Sequence, residues 1–171
     1  MTYITKIALA ALGLATSGGA FAQSSDAEST TGSATILRAV ALEKTSDLAF
    51  GRIVRPSSGS STVEIDADTG TRSIDGSGVL LSGAFSRAAY TVAGEGGQTV
   101  SLTVSPLVLA GPEDSDPITV TLVRSENSAV LTGSAGADGE ASFHVGGSFD
   151  VSSTTATGAY SGTFTATVAY Q

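Results

Sequence analysis

The chain has no cysteine and no tryptophan, one histidine and one methionine, and only 8 Lys+Arg to set against 16 Asp+Glu. Each absence removes a class of chemistry. Without cysteine there is no disulfide scaffold, no thiolate metal site, no Cys nucleophile and no lipid-anchored N-terminal Cys. A net charge of −8 lacks the basic footprint that nucleic-acid phosphates require. Charged residues make up only 14% of the chain and hydrophobic ones 41%, which is not the composition of a disordered acidic tail. At 171 residues the expectation is one domain.

What is present begins with an address. Met1 to Ala22 reads as a secretory signal peptide: Lys6 in a short n-region, an apolar run from Ile7 to Ala15, and Ala20-Phe21-Ala22 offering small residues to a signal peptidase. The run is too short to cross a hydrocarbon core, which needs ~20 apolar residues. Cleavage before Gln23 would remove Lys6 and leave an exported chain, in the periplasm or at the cell surface, more acidic still and without membrane insertion. Export into an oxidising compartment permits disulfides. This chain has none to form, and a domain of ~150 residues buries enough surface to do without them.

Gln23 to Ser33 is small and polar, with no apolar periodicity, and reads as a flexible arm. Residues 34–171 read as one all-β domain, because short Val/Ile/Thr/Tyr/Phe-rich runs alternate there with Gly/Ser/Asp/Pro clusters. The runs are Thr35–Leu42, Leu48–Val54, Ser61–Ala67, Gly78–Ser82, Ala88–Ala93, Thr99–Ser105, Ile118–Arg124, Ala129–Thr132, Ala141–Val151 and Ala159–Tyr170. Many alternate strictly. Val63, Ile65 and Ala67 face one way while Glu64, Asp66 and Asp68 face the other; Val100, Leu102 and Val104 do the same, as do Val120 and Leu122. One buried face per strand is the mark of antiparallel sheets, and so many short strands predict an immunoglobulin-like antiparallel β-sandwich. The runs 88–93 and 99–105, joined through Gly94-Glu95-Gly96-Gly97, predict a β-hairpin.

The last segment has the longest pattern. Tyr160, Gly162, Phe164, Ala166, Val168 and Tyr170 share one face from residue 159 to 170. At ~3.3 Å per residue this predicts a strand of roughly 40 Å, placed centrally or at a functional edge.

Catalytic chemistry finds few candidates. His144 lies inside the alternating run 141–151, reads as a solvent-facing strand residue, and has no G-x-S-x-G elbow to serve. One histidine and no cysteine make a poor zinc site. Asp66-Ala67-Asp68-Thr69-Gly70 opens like a calcium loop, but Gly70 stands where a third ligand belongs and no Glu closes it. The cluster Glu113-Asp114-Ser115-Asp116 reads first as solvated loop charge. No carboxylate pair is singled out for glycoside hydrolysis. No cofactor is implied, and the reading is of a non-enzymatic protein.

Three stretches carry a resemblance. Leu42-Glu43-Lys44-Thr45-Ser46-Asp47-Leu48-Ala49-Phe50-Gly51-Arg52-Ile53-Val54, Val145-Gly146-Gly147-Ser148-Phe149-Asp150-Val151 and the run from Gly158 to Gln171 together resemble the bacterial secreted domain-of-unknown-function family 4402. The last run is also similar to the terminal strand of chaperone–usher pilin and spore-coat-U-like subunits, which carry a penultimate tyrosine, here Tyr170, and an upstream glycine, here Gly158. That resemblance implies a pilin-like structural or adhesive subunit at the cell surface. It would assemble by strand addition with itself or related subunits, and a periplasmic chaperone would receive it. The assembly residues would be Gly158, Tyr160, Gly162, Phe164, Val168 and Tyr170. Gln23 to Ser33 has none of the alternating apolar residues of a donor strand, and Arg38 interrupts the face shared by Ile36, Val40 and Leu42. The alternative from a different class is a monomeric periplasmic ligand- or carbohydrate-binding module.

Overall fold

A computed structural model describes residues 26–171. The segment read as a signal peptide lies outside the described residues. Residues 26–35 are exposed and carry no regular secondary structure. Ile36–Gln171 forms a compact unit made of strands, with no helix among the described residues.

The strands are β1 (Ala41–Ser46), β2 (Ile53–Val54), β3 (Ser60–Ile65), β4 (Arg72–Asp75), β5 (Val79–Leu80), β6 (Ala88–Glu95), β7 (Thr99–Val104), β8 (Leu107–Leu109), β9 (Ile118–Arg124), β10 (Ser128–Val130), β11 (Asp138–Ser152) and β12 (Ala166–Tyr170). All pairings are antiparallel. A seven-stranded sheet runs β1-β6-β11-β3-β4, with β9 also on β11 and β8 on β9; a three-stranded sheet runs β10-β7-β12. The result is the all-β, antiparallel, sandwich-like arrangement that the alternation predicts.

The long strand β11 organises both halves. Asp138–Val145 pairs with β6, and Gly147–Ser152 pairs with β3. The change of partner falls at Gly146, where a Cβ would collide with the carbonyl of Ile65 and the amide of Ala67. The core divides at the same place. Val92, Val100, Leu102, Leu131, Phe143 and Val145 form one buried cluster; Phe50, Val63, Ile65, Leu107, Val120, Phe149 and Val151 form another. Leu48, Leu122 and Phe164 pack against both. In the second cluster the Phe50 and Phe149 rings meet edge-on, centroids 4.8 Å apart.

Several expectations are corrected. The first strand is not Thr35–Leu42 but Ala41–Ser46; Ile36 and Leu37 are exposed. The hairpin between the runs 88–93 and 99–105 does not form: β6 lies in the large sheet and β7 in the small one. Val92, Val100 and Leu102 all enter one core cluster, so the two strands face each other across layers. The turn between them is tied elsewhere, with Gly96 N–H on the carbonyl of Ala137 and Gly97 N–H on that of Leu131. Two short strands, Arg72–Asp75 and Leu107–Leu109, have no counterpart among the predicted runs.

The terminal run changes most. Only Ala166–Tyr170 is strand. Upstream, Ser161 exchanges main-chain hydrogen bonds with Ala110 just past β8, whereas Thr165 lies beside Ser105 at the end of β7. Tyr160, Phe164, Ala166, Val168 and Tyr170 are partly buried and the residues between them, Gly162 included, exposed; the segment changes hydrogen-bonding partner midway, which ends the ladder.

Candidate functional site

The proposed assembly residues fall into two groups with different surroundings. Gly158, Tyr160 and Gly162 sit on a strap that packs on the fold's own β8 end. A Cβ on Gly158, which has φ 154°, would overlap Pro112, and one on Gly162 would overlap the carbonyl of Val108. The Tyr160 ring lies against Gly111, itself too close to admit a side chain, and its hydroxyl donates to the carbonyl of Ala156 at 3.0 Å. Gly158 and Gly162 therefore both serve close approaches made within the chain.

Phe164, Val168 and Tyr170 turn their side chains inward as partly buried members of the first core cluster, and Phe164 also reaches the second. Their strand is an edge. β12 pairs with β7 from Ala166↔Val104 to Tyr170↔Val100, and nothing pairs with its other side among the described residues. The end bonds set the phase. Ser105 N–H bonds the carbonyl of Thr165, and Gln171 N–H bonds that of Thr99. In an antiparallel ladder, hydrogen-bonded and outward-pointing residues alternate. Thr165, Thr167, Ala169 and Gln171 therefore point their main chain at β7, while Ala166, Val168 and Tyr170 point theirs away. The Thr103 and Ser101 hydroxyls reach the carbonyls of Thr167 and Ala169, consistent with this phase. Three N–H and three C=O groups thus line an open edge, with inward side chains alternating behind them.

Tyr170 also fixes where the chain enters the fold. Its hydroxyl accepts from Glu95 N–H at 2.7 Å and donates to the carbonyl of Arg38 at 3.0 Å. Glu95 is buried, and its carboxylate meets Arg38 Nε at 3.4 Å and accepts from Gly136 N–H. Arg38 pairs in addition with Asp138. The pairing of Arg38 with Glu95 carried no signal in the sequence, because it joins residues far apart in the chain. The strict alternation around Tyr170 was the one legible part of this cluster.

The remaining candidates find structural roles. Asp66 turns one carboxylate oxygen onto the N–H groups of Asp68 and Thr69 and onto the Thr69 hydroxyl. These bonds, led by those from Thr69, hold its pKa below the usual carboxylate value. One carboxylate oxygen is thus committed to the turn, and no group of three or more His, Asp or Glu among the described residues is placed to hold a metal. His144, expected to face solvent, is half-buried. Burial, and then the charge of Arg87, lower its pKa. Its main-chain N–H donates to the Ser125 hydroxyl and its carbonyl accepts from the Ser125 N–H, so that serine hydroxyl is bonded to the His144 backbone.

The chain matches the family model described as domain of unknown function (DUF4402) over residues 40–170 and belongs to that family, as its three motifs anticipated. No curated protein and no solved structure matches it.

Proposed function

We propose that this DUF4402 domain is an exported, non-enzymatic structural or adhesive subunit that assembles outside the cytoplasm by strand addition along the open edge of β12. The partners are other copies of the chain or related subunits, with a periplasmic chaperone guarding the same edge before assembly. One observation carries the reading: the outward main-chain groups of Ala166, Val168 and Tyr170 have no partner among the described residues. An unpaired edge invites another strand. Main-chain bonds then supply affinity and alternate side chains specificity. The charge-free sequence from Thr163 to Gln171 offers none of the edge lysines that block such pairing. Export is argued from Lys6, the apolar run after it and Ala20-Phe21-Ala22.

Two proline substitutions test it. Ala166→Pro removes an outward N–H and places a ring on the open edge, where proline is tolerated. It leaves the hydrogen bonds to β7 intact. The expected outcome is a folded chain, cooperative on heating, that no longer forms oligomers in size-exclusion chromatography or ladders in unboiled gels. Thr167→Pro removes an N–H aimed at β7 and is expected to destabilise the fold itself. An Ala166→Pro chain that assembles like the parent, or a parent that stays monomeric at every concentration and with its co-expressed partners, would overturn the proposal.

A further inference from the structure

Between residues 44–55 and the strap 155–164 the fold leaves a cleft of ≈ 890 Å³. Small-molecule sites span about 300–1,000 Å³. Its floor includes Leu48, Phe50, Ile53, Leu107, Phe149 and Phe164. All six belong to or pack on the second core cluster, so the cleft opens directly into the hydrophobic interior.

Charge at the mouth is one-sided. The charged residues lining the cleft are Lys44, Asp47, Arg52 and Arg55. Lys44 and Asp47 form an ion pair with each other. Arg55 spends one donor on the carbonyl of Thr155 at 2.5 Å, tethering the strap, and a guanidinium keeps others free. Arg52 is the one Lys or Arg among the described residues whose side chain makes neither a hydrogen bond nor an ion pair; Arg38, Lys44, Arg55, Arg72, Arg87 and Arg124 are all engaged. In a chain of net charge −8, the mouth thus carries two uncompensated positive charges.

The wall at residues 49–52 is unsuited to a peptide strand. Ala49 spends both main-chain groups on Ser86, the carbonyl of Phe50 takes Arg72 at 2.8 Å, Gly51 turns left-handed at φ 74°, and the carbonyl of Arg52 takes Leu81 N–H. The wall at residues 49–52 therefore presents no continuous run of free, extended main chain. Opposite, Ser161 is bonded to Ala110. What both walls present is apolar surface under a cationic rim.

We propose that this cleft binds a small anionic amphiphile, an acyl chain ending in a carboxylate or phosphate, with the chain on Phe50, Phe149 and Phe164 and the head on Arg52 and Arg55. Burial of its methylenes drives the chain into the cleft, and charge-assisted bonds to a guanidinium fix the head. The strap that lines the cleft leads into β12, but this inference is argued from the apolar floor and the two arginines and not from the β12 edge, and the Ala166→Pro chain keeps the two tests apart.

The test is displacement of a fluorescent polyene fatty acid from the purified full chain. Dodecanoate, dodecyl phosphate and dodecanol serve as competitors. The expected result is saturable binding of one probe per chain, with at least one anion displacing it tenfold or more better than dodecanol. The better anion identifies a carboxylate or a phosphate source. Arg52→Glu, which breaks no bond of the fold, should weaken the anions at least tenfold, leave dodecanol unchanged and keep the melting temperature of the parent; adding Arg55→Glu should weaken the anions further. Ala166→Pro should bind as the parent does. No saturable binding, equal displacement by dodecanol, or insensitivity to the charge reversals would overturn the inference. So would displacement by a peptide of residues 35–42 when dodecanoate fails, which would make the cleft a strand site.

Discussion

The Tyr170 hydroxyl is the meeting point of three segments remote in sequence, at Arg38, Glu95 and the terminal strand. Removing it leaves a partly buried N–H on Glu95 without an acceptor, and an orphaned donor costs about 1–3 kcal/mol. Tyr170→Phe is therefore expected to lower the unfolding free energy from urea titration by that amount and to speed amide exchange at Glu95; an unchanged free energy with unchanged exchange would refute the role. Glycines divide similarly by what surrounds them. At Gly146 a new Cβ meets main-chain atoms of Ile65 and Ala67, which cannot step aside. Gly146→Ala is expected to destabilise by about 1–3 kcal/mol through overpacking, whereas Gly32→Ala, with nothing within 4 Å of its Cβ, should leave the melt unaltered. Equal melting temperatures for the two variants would count against the corner at Gly146. The sequence displayed these glycines plainly; their neighbours, which set the cost, it did not display.

At the scale of elements, alternation predicted which face of a strand is buried and failed to predict which strand it pairs with. In β3, Ser61, Val63 and Ile65 are buried and the residues between them exposed; in β7 and β9 the expected faces also turn inward. The same rule misjudged 159–170, because an extended strap that leaves β8 for β7 keeps its inward side chains while its hydrogen bonds change partner. It also misjudged 88–105, where two alternating runs with a glycine-rich link face each other across layers instead of pairing edge to edge. Periodicity reports the side-chain environment; pairing depends on main-chain direction, which residue identity hardly constrains. Short strands such as β4 and β8 offer too few residues for a period to register. The open edge of β12 follows from the same limit. Its inward residues were legible, yet the outward main-chain groups that make it a docking edge depend on β7 occupying only one side.

For the molecule as a whole, stability should fall on acidification. His144 and Asp66 both have folded-state pKa values below their ordinary ones, 6.5 and 3.8, the first through burial and the second through the Thr69 hydrogen bonds. For each, the unfolded chain binds more protons as pH drops, so stability is held above the ordinary value and lost as pH falls through the folded one. The expected melting temperature declines first just below pH 6.5 and again below about pH 4. His144→Gln should remove the first decline, and Asp66→Asn should flatten the second; a His144→Gln chain with the parent's profile between pH 5 and 7 would show that the group does not contribute. By itself the sequence determined the all-β class, the family, the strongly alternating strand faces and the acidic, cysteine-free character, because composition and period two are local properties. Only the tertiary structure decided that β6 and β7 part into different sheets, that β11 changes partner at Gly146, that β12 is an edge, and that two arginines stand over an apolar cleft. Those facts depend on which distant segments meet, and segments meet where buried faces and main-chain hydrogen bonds can be satisfied together, a condition that no stretch of sequence records alone.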